Sequence, residues 1–351
     1  MIKISTDHHK LIYHPKRVAE WIEKDDCFPV FVEISPTNRC NHKCAFCALD
    51  WVERGGRDIN SETMINSLKN MADNGVKALM WAGEGEPFLH KDMSLFLKKA
   101  KEFGMDSSIA TNAVLLTKER IEESLPYLSW VRFSVDSGCP ENYAKVHGTN
   151  PNDFNKALEN IKAAVKFRNN HNLKTVLGVQ LVMIPLNKDQ ASKLAIILKE
   201  IGVDNFQLKP YSHHPNSMND FSMSQEDHKF IEDEVSKFSS DNFQVLFRKE
   251  AVERTYSERP YESCMGLPFF TLIDCRGNVI PCSHFYKNEN FFFGNLNDNS
   301  FSEIWDSERR KEVLKKISKI GTGECRKGCR LDLVNRYLDR LKNPHEHDNF
   351  L

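Results

Sequence analysis

Three cysteines, Cys40, Cys44 and Cys47, fall within the stretch CNHKCAFC, and four more, Cys264, Cys282, Cys325 and Cys329, gather towards the C-terminal end. Clustered thiols in a reducing compartment favour metal or iron–sulfur ligation over disulfides. The C-x3-C-x2-C spacing lets three thiolates converge on one face of a four-iron cluster. An all-cysteine cluster needs a fourth thiolate, and none lies nearby in the sequence. Three ligands leave one iron open to chemistry. A zinc site completed by His42 or Asp50 is the alternative. Cys27, Cys139 and Cys275 stand apart from both groups, Cys27 as a core residue and Cys275 as a half-buried one.

These thiols must be positioned by regular structure. Strands are expected at 28–35, 76–83, 106–111, 130–136, 175–185 and 205–210, with helices at 61–75, 91–104, 118–125, 152–170 and 190–202. Six βα repeats point to parallel strands covered by helices, and right-handed crossovers curl them into a full or partial barrel. Chemistry then sits at the C-terminal strand ends, and Cys40 follows the first of them. Beyond 216 the pattern changes. A helix at 224–238 and a strand at 243–248 precede a hairpin at 269–282 that turns on Arg276-Gly277-Asn278, and helices follow at 300–319 and 332–343. The expected organisation is an N-terminal extension (1–27), an α/β barrel (28–215), a connecting helix and strand (216–259) and a small C-terminal unit (260–351).

Among the 351 residues, 48 basic and 49 acidic side chains leave a net charge of −1, without the basic excess of an electrostatic nucleic-acid binder. Neither a signal peptide nor an apolar run of spanning length is visible, so the expectation is a cytoplasmic protein with no membrane or nucleic-acid partner.

CNHKCAFC, with Phe46 before its third cysteine, resembles the motif of the radical S-adenosylmethionine (SAM) superfamily. WAGEGEPFLH (81–90) is similar to that family's glycine-rich turn, whose members contact the methionyl amine of SAM; here it comprises Gly83, Glu84, Gly85, Glu86 and Pro87. Thr111 and Asn112 end the third strand, where the family commonly carries a polar pair. Ser134 and Asp136 resemble positions near the SAM ribose and carboxylate, although they could equally cap the turn. Gln180 and Met183 match positions flanking ribose and adenine. The resemblance implies a partial (β/α)6 radical SAM barrel, a [4Fe–4S] cluster on Cys40, Cys44 and Cys47, and SAM on the open iron. Its implied chemistry is reductive cleavage to a 5′-deoxyadenosyl radical that removes a hydrogen atom from substrate, with flavodoxin or ferredoxin as low-potential electron donor.

Cys264-x12-Gly277-x4-Cys282, followed by Cys325 and Cys329 in CRKGC, resembles the SPASM and shorter twitch auxiliary-cluster domains. Four cysteines imply a second, fully protein-ligated [4Fe–4S] cluster. Cys275 could replace one ligand, and His284 beside Cys282 leaves zinc open. The resemblance to single-auxiliary-cluster dehydrogenases implies a small hydroxylated substrate (sugar, cyclitol or nucleotide-linked), oxidised with the second cluster as electron acceptor. Lys209 could pair with the SAM carboxylate or a substrate anion, and Tyr211, His213 and His214 could bind hydroxyls or phosphate at the barrel mouth. Cys139 is either an inert loop thiol or the hydrogen donor of an epimerase. Peptide modification and a non-catalytic zinc module are the remaining alternatives.

Overall fold

Residues 9–350 are described by a computed structural model; the first eight residues of the expected N-terminal extension lie outside the described residues. The extension supplies α1 (Pro15–Lys24). The expected repeats follow as β1 (Phe31–Ile34), α2 (Ser61–Asp73), β2 (Ala78–Trp81), α3 (Met93–Glu102), β3 (Asp106–Thr111), α4 (Lys118–Ser124) and β4 (Trp130–Ser134). Then come α5 (Pro140–His147), α6 (Asn152–Asn170), β5 (Val176–Met183), α7 (Ala191–Ile201) and β6 (Asn205–Pro210). β1 to β6 pair in parallel in chain order. Helical returns between parallel neighbours produce the partial (β/α)6 barrel.

The C-terminal part is joined to this sheet more intimately than a packed second unit. Past α8 (Gln225–Ser236), β7 (Gln244–Phe247) pairs in parallel with β6, so the expected connecting strand is a barrel strand. After α9 (Lys249–Tyr256), β8 (Phe270–Ile273) hydrogen-bonds in parallel with β1, Phe31 opposite Phe270. The hairpin continues through β9 (Asn278–Ile280) to the short β10 (Gly294–Asn295). Among the described residues one sheet of ten strands results, in the order β10-β9-β8-β1-β2-β3-β4-β5-β6-β7.

The helix expected at 300–319 is two, α10 (Phe301–Asp306) and α11 (Glu308–Ile320). Ser307 breaks it because its side chain accepts from the Arg310 N–H and starts a new N-terminus. α12 (Asp332–Lys342) closes the chain. Trp81, Phe96, Phe133, Phe206, Ile273 and Trp305 belong to one continuous core running from barrel to C-terminal unit. A smaller cluster seats Trp21 of α1 and Cys27 against Phe269 and Leu338, confirming Cys27 as core. Among the described residues no helix is long and apolar enough to cross a membrane.

Candidate active site

The loop after β1 is held by backbone contacts before any thiol is considered. Lys43 and Ala45 donate their N–H groups to the carbonyls of His147 and Val146 at the end of α5, each at 2.9 Å. These carbonyls lie in the last turn of a helix, where no intrahelical donor remains. Gly148 makes the approach possible: at φ +57° it adopts a left-handed conformation, and a Cβ there would come within 2.3 Å of the Lys43 carbonyl oxygen. The GEGEP turn presses on the same loop from the other side. A Cβ on Gly85 would meet the Arg39 carbonyl oxygen at 2.1 Å, and Glu86 N–H donates to that oxygen at 2.8 Å.

Cys40, Cys44 and Cys47 line one cavity of about 290 Å³ together with Phe46, Gly83, Gly85, Glu86, Thr111, Asn112 and Ser134. The strand ends singled out in the sequence thus converge. Burial pushes the Cys40 and Cys44 thiols up, and neighbouring thiols of the trio push further. Such thiols release their protons only to a cation, which fits a metal cluster on this set. Arg54 donates to Cys47 Sγ at 3.2 Å and to the His42 carbonyl at 2.5 Å, placing a fixed positive charge against the trio.

Glu86 spends its carboxylate on the protein. Its Oε1 accepts from Thr111 Oγ1 at 2.7 Å and its Oε2 from the Asn112 N–H at 2.8 Å, bracing β2 against β3. Glu84, expected beside it in the SAM site, is turned away. It accepts from the Cys275 N–H at 3.1 Å and faces Arg276. Asp136 is likewise beneath the cavity, fully buried, where it accepts from the Val182 N–H at 2.5 Å and sits 3.2 Å from His147 Nε2. His147 Nδ1 is 3.3 Å from Cys44 Sγ, so Asp136 orients the imidazole that touches a thiol. His42, Cys44 and His147 bring their ligand atoms within 4.8 Å of one another, the form in which a zinc reading of this loop is geometrically expressed.

Gln180 and Met183 do not line the cavity as expected. Met183 is fully buried in the core on the opposite face of β5, and Val182 takes the cavity position. A one-residue offset in a strand reverses the face. Gln180 shares Val182's face but is buried lower down the strand, in register with Ser134.

Of the expected substrate residues, Lys209 and Tyr211 line the cavity. His213 is an exposed neighbour of the Asn219 carbonyl. His214 is buried against the C-terminal unit, its Nε2 3.0 Å from the Ser283 carbonyl oxygen. Cys139 precedes α5 and is not among the lining residues. Adjacent Gly138 packs on α7, where a Cβ would come within 2.6 Å of Lys193.

The charged lining residues Arg132 and Arg326 escaped the sequence analysis. Arg132 was legible in principle, since it stands two residues before Ser134 and shares its face by strand alternation. Arg326 lies between the thiols of CRKGC, and its Nε and Nη2 donate to Ser212 Oγ and the Ser212 carbonyl at 3.2 and 2.8 Å.

The second thiol set also converges. Burial pushes Cys264 up to about 12, with Cys329 and Cys325 adding to it, and Cys282 is raised by burial and by Cys329, Cys264 and Cys325. Thiols gathered in this way suit a protein-ligated cluster. Asn335 donates its amide to Cys264 Sγ at 3.4 Å. Cys275, expected half-buried, is fully buried on the hairpin facing Glu84 and Asp274, which with burial hold its thiol high. Asp332 anchors the CRKGC loop, accepting from Tyr261 Oη at 2.6 Å and Arg336 Nε at 3.0 Å.

Residues 34–195 match the family model of the radical SAM superfamily. The chain contains a radical SAM domain. Residues 264–330 match the SPASM model, an iron–sulfur cluster-binding domain, so this radical SAM protein carries a second cluster domain and requires [4Fe–4S] clusters and SAM. It is 26% identical over 303 residues to the tungsten-containing aldehyde ferredoxin oxidoreductase cofactor-modifying protein of Pyrococcus furiosus, covering 80% of this chain and 81% of that one. To a UPF0026 protein of Helicobacter pylori it is 27% identical over 189 residues, half of this chain. The match spans 60% of that relative's length. Streptococcus suis SuiB bound to its precursor peptide SuiA shares the radical SAM–SPASM fold, with a TM-score of 0.66 at 19% identity over 89% of this chain and 73% of that one.

Proposed function

We propose that this radical SAM enzyme oxidises a small hydroxylated substrate, a sugar, cyclitol or nucleotide-linked sugar, in the cavity on which its first thiol set opens. The observation that carries this reading is the CRKGC loop: it bears two thiols of the second set, and its Arg326 lines the cavity on which the first set opens. When bound, SAM and the reduced first cluster supply a 5′-deoxyadenosyl radical that takes a hydrogen atom from a C–H bond, and the second cluster supplies an acceptor for the electron then released.

The chain's own residues prepare that chamber. Cys40, Cys44 and Cys47 would hold the first cluster, and Cys264, Cys282, Cys325 and Cys329 the second. Gly83 and Gly85 keep the turn thin enough for close approach of SAM. Glu86 fixes the ends of β2 and β3, so that Thr111, Asn112 and Ser134 present polar groups at set positions. Phe46 and Val182 exclude water from one part of the wall, while Lys209 and Tyr211 supply polar contacts at the mouth. Flavodoxin or ferredoxin in the cytoplasm is the proposed electron donor.

Anaerobic reconstitution tests the reading. The expected result is iron and sulfide for two clusters, 5′-deoxyadenosine on adding SAM and reductant, and deuterium transfer into it from a labelled polyol or sugar nucleotide. Zinc without iron and no SAM cleavage would overturn it. Peptide modification is the second reading, favoured by the fold shared with peptide-bound SuiB. Deuterium arriving only from a peptide would establish it instead.

A further inference from the structure

The cavity wall on the β4–β6 side has an unbalanced charge. Arg132 of β4, Lys209 of β6 and Arg326 of the CRKGC loop all line it, and the carboxylate among the lining residues is Glu86. Glu86 is already committed to Thr111 and Asn112. Nearby Arg330 is paired with Glu33. The three wall cations retain unused donors. Arg132 Nε is buried without a hydrogen-bond partner. Among the described residues, Lys209 Nζ has no hydrogen-bond or ion-pair partner, and Arg326 directs only Nε and Nη2 to Ser212. Buried donors left unpaired are costly and are found where a ligand completes them.

The first cluster and SAM offset only part of this surplus. With three thiolates the oxidised cluster has one net negative charge, and SAM chelated through its deprotonated amine is neutral, against three wall cations. SAM's one carboxylate is consumed together with its amine in chelation at the open iron. The strain among the cations is visible at Lys209, whose ammonium is held well below its usual range by burial and then by Arg326, Arg132, Arg248 and Arg330.

We propose that Arg132, Lys209 and Arg326 form the recognition site for an anionic group of the substrate, a phosphate or a carboxylate. The inference rests on the cavity being the substrate chamber, and it narrows the substrate class to anionic molecules. Guanidinium forks match both oxyanions in geometry. The site is split between the two domains: Arg132 and Lys209 come from barrel strands, and Arg326 arrives with the loop that carries Cys325 and Cys329. That loop is pinned on the cavity side by Ser212, which also accepts from the Gly328 N–H at 3.1 Å, and on the other by Arg259, which donates to the carbonyls of Thr322, Cys325 and Arg326.

Titration calorimetry on the reconstituted, SAM-saturated protein tests the proposal, with inorganic pyrophosphate and succinate as probes. Saturable binding of either supports it, pyrophosphate alone pointing to a phosphorylated substrate and succinate alone to a carboxylated one. Arg326→Gln and Lys209→Met should each weaken the bound probe about tenfold or more, and Arg132→Lys should retain more binding than Arg132→Gln. SAM affinity should change by less than about twofold in all of them. Absence of binding by both probes, equal binding by the variants, or loss of SAM affinity in place of probe affinity would overturn it. A wild-type protein that binds the probes but forms no 5′-deoxyadenosine would instead sink the proposed function and leave the anion site standing.

Discussion

The first thiol set comes from one loop, Cys40 to Cys47, whereas the second is drawn from the segment before β8, the end of β9 and the CRKGC loop. The first lines a cavity, and its sulfur Cys47 accepts from a guanidinium. In the second, Cys264, Cys282 and Cys329 pack partly buried against the core, and the Cys264 sulfur accepts from a neutral amide. One set opens on the cavity and the other does not line it, an open set and a closed set. The open set is held by barrel elements, the α5 carbonyls and the GEGEP turn. The closed set needs the tertiary fold to exist first.

The sharpest way to break this contrast is Cys44→Ala. It should abolish 5′-deoxyadenosine formation and remove about half of the cluster iron, leaving the electron paramagnetic resonance signal of the second set intact. Cys282→Ala should show the converse: the second signal disappears, SAM cleavage continues, and substrate oxidation is lost. Persistence of both signals in either variant would mean that the two sets are not separate sites.

Asp332→Ala probes the fold on which the closed set depends. It removes the partner of Tyr261 and Arg336 and the buried counter-charge near Arg254 and Arg259. Uncompensated cations should cost about 3–5 kcal/mol in denaturant unfolding, together with reduced loading of the second cluster. The smallest effect is expected from Arg54→Gln. Loss of the cation beside Cys47 should make the first cluster's reduction potential more negative by voltammetry, with the second unchanged, because hydrogen bonds to sulfur stabilise the reduced form.

The barrel strands were legible because each is a short apolar run bounded by turn residues and followed by helical periodicity. The first thiol set, Thr111, Ser134 and Lys209 were legible because their places follow from strand ends and side-chain alternation. Met183 was misplaced because sequence alone does not set register to within one residue, and that residue decides the face. Glu84 and Asp136 are polar residues at strand ends whose destinations, Cys275 and Val182, lie on other strands. Arg326 reads in sequence as a solvated loop residue, since nothing local shows that its loop folds back over β6. The pairing of β8 with β1 was hidden for the same reason: a hairpin looks complete by itself.

That pairing has a consequence for how the molecule is made. β1 leaves the ribosome early, and one of its edges has no strand to join until residues 270–273 have been synthesised. An uncovered parallel edge is a template for misassociation, and pairing of such sequence-distant segments is slow. The cysteine loop on β1 therefore emerges long before its sheet is closed. Metal delivered during synthesis would meet the first three thiols before the other four have been made, so a cluster on the second set can assemble only once the segment that seals the fold has been synthesised.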